Sequence, residues 1–166
     1  FYESHVKGTP VYRTYSDFKA KKATAAWMEL PETSEADGYD FLHHTMWLGS
    51  REVRSYSMYW DSANNVSRWV AYPLNRELMG YGKRTDKWGF DPLLPENEQP
   101  DVRGAYSKDA EDIAYGRGHQ IASADRTNYE ANTRVFFGTN MTPQISDFNG
   151  AVWNNLENTV RLWSKR

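Results

Sequence analysis

Asn149-Gly-Ala-Val152-Trp153-Asn-Asn-Leu156-Glu157-Asn-Thr-Val160-Arg161-Leu-Trp163 is the stretch on which the fold turns. Val152, Leu156, Val160 and Trp163 recur at spacings of four, four and three, which predicts a helix with one apolar stripe. The stripe centres near Leu156 and is expected to be buried, with Glu157 and Arg161 together on its flank. As an i,i+4 pair these two can be an ordinary surface ion pair worth about a few tenths of a kcal/mol. Beside a buried stripe, below an asparagine at the helix start, they also suit a site where a helix lies across strands. Upstream, Val53–Trp60 and Val66–Leu74 are β-rich and flank turn-forming residues 61–65, a hairpin pattern. Val135–Thr139 is expected as a further strand. Residues 80–104 are rich in Gly, Pro and charge and read as a long surface or functional loop. Strands followed by a terminal helix make the chain α+β.

The first forty residues are polar and mixed, with an apolar run at Ala25–Leu30 and turn-like residues from Pro31 to Gly38. They are expected to form an N-terminal extension packed on a domain spanning 41–166. The 166 residues suffice for one domain with a real core. Mean hydropathy is -0.83, and no apolar run is long enough for a membrane span. The formal charge of -2 does not advertise nucleic-acid binding. The charge is uneven, however: residues 116–166 carry six Lys/Arg against four Asp/Glu, so the last third is the more positive part. Cysteine is absent, which excludes disulfides, thiolate metal sites and Cys nucleophiles. The chain opens on Phe1 without a signal-peptide pattern and reads as a processed or trimmed chain.

No nucleophile elbow, phosphate-binding P-loop, dinucleotide fingerprint, His-Glu-x-x-His zinc motif or EF-hand loop is present. His43 and His44 are adjacent, so on a strand they face opposite sides and cannot chelate one ion; one is expected packed and the other exposed. The segment Tyr115-Gly-Arg117-Gly-His119-Gln-Ile-Ala-Ser-Ala-Asp-Arg126 is different. Glycines flank Arg117 and let the backbone turn just before a lone histidine. With a reference pKa of about 6.5, a neutral imidazole can take a proton from water near neutral pH. Alone, such a histidine is more often structural.

Taken in order, Arg117-Gly-His119, Ser123-Ala-Asp-Arg126, Asn140-Met-Thr-Pro-Gln144, Asn149 and Trp153-Asn-Asn-Leu-Glu157 resemble the DNA/RNA non-specific endonuclease family, the Serratia and Anabaena nuclease group of the ββα-metal superfamily. The likeness covers about residues 50–166 and includes, more loosely, Trp69–Tyr72 and the loop from Arg84 to Pro92. It implies a ββα-metal fold, an antiparallel sheet carrying a metal-bearing helix. It also implies cleavage of DNA and RNA phosphodiesters without sequence specificity, and a secreted or periplasmic location. By that resemblance His119 is the general base and Asn149 the direct Mg²⁺ ligand, with Mn²⁺ as substitute. Glu157 holds metal-bound water, Arg161 and Arg84 face phosphate, Asn140 is a site asparagine, and Arg117 and Arg126 bind substrate.

The physics is compatible. Mg²⁺ keeps several waters, so one protein oxygen suffices. Eight residues of helix separate Asn149 from Glu157 by roughly 12 Å, which favours Glu157 acting through water. Contacts that end on phosphate carry no sequence information.

Two features depart from the family. Gly116 stands where the family has Asp, which argues for reduced or unaltered activity rather than abolition. The chain also stops soon after the helix, where relatives continue. The expectation is an absent C-terminal part or a second copy covering the apolar helix end. The alternative from another class is a degenerate, non-catalytic nucleic-acid-binding or interaction module on the same scaffold.

Overall fold

The computed structural model describes residues 11–12, 31, 38–106 and 112–165. The N-terminal extension, with its apolar run, lies almost wholly outside the described residues. The expected hairpin is present: β3 (Arg51–Asp61) and β4 (Val66–Ala71) pair antiparallel around a turn in which Asp61 Oδ1 accepts the backbone N–H groups of Ala63 and Asn64. They extend into a four-stranded antiparallel sheet with β2 (Asp40–Leu48) and the two-residue β1 (Val11–Tyr12), in the order β1-β2-β3-β4.

The strand β2 does not alternate. Phe41 to Met46 are all buried, because both faces of the sheet are covered. On one face Leu42, Tyr56, Met58 and Trp60 pack with Leu94, Ile121, Val135 and Phe136; on the other, Phe41 and Tyr59 pack with Tyr39 and Trp69. His43 and His44 do point to opposite sides, yet both are fully buried, which corrects the expectation of one exposed ring. His43 Nδ1 hydrogen-bonds Ser57 Oγ at 2.8 Å, and His44 Nε2 reaches Asp91 Oδ2 at 2.9 Å.

After a helical turn, α1 (Arg76–Met79), the loop from Gly80 runs through a 3-10 turn at Glu96–Glu98 to β5 (Tyr115–His119). A 3-10 turn at Ser123–Asp125 and α2 (Tyr129–Val135) follow. Val135–Thr139 is not a strand. Val135 closes α2, and Gly138–Asn140 is a 3-10 turn whose neighbours Phe136 and Phe137 enter the core. A short apolar run does not distinguish a strand from a buried helix end.

The real strand is β6 (Met141–Ile145), antiparallel to β5 with His119 opposite Met141 and Gly116 opposite Gln144. Consecutive helical segments then lead away: α3 (Ser146–Phe148), a π turn at Asn149–Trp153 and α4 (Asn154–Trp163). Helical backbone therefore begins three residues before Asn149. None of its side chains is fully buried: Val152 is 63% exposed and Trp163 61%, so the stripe expected to be covered faces outward along much of its length.

Candidate active site

The β5-β6 pair and the helix that follows form one unit around His119. At Gly118 the Gln144 side chain lies across the pair where a Cβ would stand, 2.2 Å from it, so a larger residue there would have to displace Gln144. The Trp153 indole N–H donates to the His119 carbonyl at 3.2 Å and pins the helix to the strand. The His119 ring is 8% exposed and sits edge-to-face on Phe136, 4.9 Å between centroids, with Trp88 at 5.7 Å. Its Nε2 has no hydrogen-bond partner among the described residues. Burial, assisted by the positive charges of Arg84 and Arg117 and opposed by Asp86, pushes its pKa down to about 3. The imidazole is neutral at physiological pH, with an uncommitted nitrogen able to accept a proton.

Two of the expected arginines are held on aromatic rings around it. The Arg84 guanidinium lies 4.6 Å over Phe136 and its Nε donates to Asp86 Oδ1 at 2.7 Å. Arg117 lies 3.8 Å over Trp88 and donates to the Val102 carbonyl at 3.1 Å. Cations stacked on rings keep their outer N–H groups available for a phosphate. Phe136 and Trp88 are thus neighbours of the candidate site that the motif reading did not assign. An aromatic in the charged loop 80–104 was the only sequence signal for Trp88.

On the helix, Arg161 donates to Asp125 Oδ1 at 2.5 Å, and Asp125 Oδ2 accepts the Tyr72 hydroxyl at 2.8 Å. Burial raises the Glu157 pKa and the Asp125 charge adds to this, while Arg161, Trp153 and Arg84 pull it back. Asn149 is half-buried at the start of the π turn. A Cβ on Gly116 would come 3.4 Å from its Nδ2, so the missing side chain leaves space beside that amide. No group of three or more His, Asp or Glu side chains able to hold a metal occurs among the described residues. An open amide, an adjacent space and a half-buried carboxylate on the same helix fit a hard, water-rich cation such as Mg²⁺ better than a closed all-protein cage.

Two expectations are corrected. Arg126 is fully buried and spends its guanidinium on Ser55 Oγ and the carbonyls of Ser55, Pro73 and Asp125; burial lowers its pKa to about 10. It braces the sheet, with its guanidinium committed to these partners. Asn140 is likewise buried: its Oδ1 accepts the Ile121 N–H at 2.9 Å and its Nδ2 donates to the Ile121 and Val135 carbonyls. It clamps the chain just past His119. A cavity of about 650 Å³ lined by residues 87–92 and 94–96 includes Trp88 but none of His119, Asn149 or Glu157. The expected site residues therefore lie outside that cavity.

The fold is the ββα-metal nuclease fold, and the chain belongs to the DNA/RNA non-specific endonuclease family, whose profile matches residues 40–166. It is 36% identical over 107 residues to a nuclease of Nostoc sp., covering 64% of this chain and 38% of that one. To the nuclease of Serratia marcescens it is 30% identical over 110 residues, covering 64% and 40%. The mitochondrial nuclease EXOG of Danio rerio is 29% identical over 111 residues, with 65% and 31% covered. The crystal structure of the EndoG/EndoGI complex, which addresses EndoG inhibition, contains a chain that superposes with a TM-score of 0.52 at 26% identity, over 71% of this chain and 50% of that one. The chain thus spans well under half the length of these sequence relatives. Relatives named as mitochondrial stand beside bacterial ones, so family membership leaves the compartment open.

Proposed function

We propose that this chain is a metal-dependent endonuclease that hydrolyses phosphodiester bonds of DNA and RNA without sequence specificity, with His119 as general base. The observation that carries this reading is His119 itself, a neutral, buried imidazole with a free Nε2 between two ring-mounted arginines. In the proposed step Nε2 accepts a proton from water, the water oxygen bonds to phosphorus, and the P–O3′ bond breaks. The products are a 5′-phosphate and a 3′-hydroxyl, the departing oxygen taking its proton from solvent. Arg84 and Arg117 neutralise the phosphate oxygens, and the phosphate's own charge raises the basicity of His119 as substrate enters. Asn149 directly, and Glu157 through water, would hold the cation, Mg²⁺ or in its place Mn²⁺. That ion supplies charge neutralisation at the phosphate and the leaving oxygen. Arg161, tied to Asp125, orients Glu157 and faces the same anion.

A plasmid-nicking assay on the wild type and His119→Ala, each with Mg²⁺ and with EDTA, tests the reading. Cleavage by the wild type with metal alone is expected. Intact plasmid and intact RNA from folded wild-type protein would overturn it. Gly116 motivates the second reading, a non-catalytic binding module, for which wild type and His119→Ala would bind equally and without metal. Export, secreted or periplasmic, is the proposed location, since a non-specific nuclease is hazardous beside a genome. The exposed helix stripe is where a second copy or a further stretch of chain would pack.

A further inference from the structure

Behind the catalytic groups, between α1 and the end of α4, lies a second cleft of about 380 Å³. Met79 and Ala124 line it together with Arg76, Arg161, Lys165 and Tyr81, and no carboxylate does. Its walls are anchored. Asn75 caps α1 by accepting the Leu78 N–H at 3.0 Å, and the Met79 carbonyl accepts both the N–H (2.6 Å) and the hydroxyl (2.7 Å) of Thr127. Gly80 turns the chain out of α1 at φ 75, where a Cβ would strike Asn128. The neighbouring Glu77 is turned away to Arg51 at 2.9 Å, and neither Arg76 nor Lys165 has an ion-pair partner among the described residues.

Three cations around one cleft, with only Arg161 paired, make a site for an anion. Tyr81 stands at its rim 85% exposed, an aromatic face with nothing packed on it. The cleft is linked along the chain to the candidate site in two ways. Arg161 lines it one helical turn after Glu157. The exposed run Tyr81-Gly-Lys83-Arg84 leads from its rim to the arginine beside His119, a span of at most ~10 Å by chain reach. At 3.4 Å per nucleotide along one strand, that reach spans at most about three nucleotides.

We propose that this cleft is a second backbone-phosphate subsite. Arg76 and Lys165 hold a phosphate of the strand being cut, separate from the phosphate that Arg84 faces, and Tyr81 stacks an adjoining unpaired base. The inference rests on the nuclease reading above, and its test does not require cleavage. A labelled single-stranded oligonucleotide is titrated by fluorescence anisotropy at several salt concentrations, with EDTA, into the full chain carrying His119→Ala. Adding Arg76→Ala with Lys165→Ala is expected to weaken binding and to make the slope of log affinity against log salt shallower by about 1. Tyr81→Ala is expected to weaken single-strand binding roughly tenfold and to spare duplex.

All three side chains are exposed, so circular dichroism should show each variant folded. Unchanged affinity and slope in both variants, or no binding by the parent, would overturn the proposal. So would displacement by inorganic phosphate as effective as by unlabelled oligonucleotide, since the cleft would then be an isolated anion site. Where the wild type cleaves, Arg76→Ala with Lys165→Ala should raise KM and leave kcat unaltered. Absence of cleavage with intact binding would count against the nuclease reading alone.

Discussion

His44 and His119 flank consecutive phenylalanines, His44 with its ring 5.8 Å from Phe137 and His119 with its ring 4.9 Å from Phe136. Both are buried on strands of antiparallel sheets and each keeps one ring nitrogen without a partner among the described residues, His44 Nδ1 and His119 Nε2, but the charged groups beside them are opposite. His44 donates to Asp91, whose carboxylate also accepts the Thr139 hydroxyl at 2.8 Å and the Leu93 N–H at 3.0 Å, while Gln99 bonds the Asp91 backbone. Burial raises the Asp91 pKa, but the His44 charge and these hydrogen bonds outweigh it and hold the carboxyl below its ordinary range. His119 has two arginines nearby and an unpartnered Nε2. Burial by itself therefore does not mark a functional histidine. One tied to a buried carboxylate holds the fold together, and one set beside cations with no carboxylate partner is the candidate for chemistry.

The comparison can be broken most directly by exchanging losses. His119→Ala should lower the cleavage rate by about 10²–10⁴-fold while the melting temperature stays near that of the wild type, measured by nicking kinetics and calorimetry. Asp91→Ala should do the reverse, costing about 3–5 kcal/mol in denaturant unfolding, because it leaves His44 and Thr139 without their buried acceptor. Equal activity losses in the two variants, each still folded, would erase the distinction.

Acid sharpens it. A histidine held neutral with a folded pKa of about 3 binds fewer protons than the unfolded chain, so stability falls as pH drops from about 6.5 toward 3. The slope in that window is at most about 1.4 kcal/mol per pH unit from this group. His119→Gln should flatten it in urea titrations across that window. Asp91, depressed in the fold, adds a loss that begins only as pH falls through the unfolded carboxyl range near 4.

The smallest effect expected is at Gly116. With 3.4 Å to Asn149 Nδ2, Gly116→Asp fits with a small adjustment and sets a carboxylate beside the proposed cation site. It should lower the Mg²⁺ concentration for half-maximal cleavage a few-fold with little change in stability. An unchanged metal requirement would detach Gly116 from the site.

Much of this was legible before any coordinates. The hairpin and the helix, from its four-four-three spacing, were read from local pattern, whereas Arg117, His119, Asn149, Glu157 and Arg161 were expected at the site from the family resemblance. The pattern was silent on which groups are spent. Arg126 and Asn140 sit in the same motif blocks as His119, yet their hydrogen bonds go to Ser55, Pro73, Ile121 and Val135. Nothing in their local spacing reports those partners.

The chain's own periodicity and turn chemistry determined where strands and helix lie, because backbone sterics and side-chain period act over a few residues. Tertiary structure alone decided that both faces of β2 are covered and that the apolar stripe of α4 is not. It also decided that Phe136 and Trp88 carry the arginines beside His119. Those outcomes depend on which distant segment covers each surface and how much water it removes, and desolvation is a property of the assembled fold rather than of any local stretch.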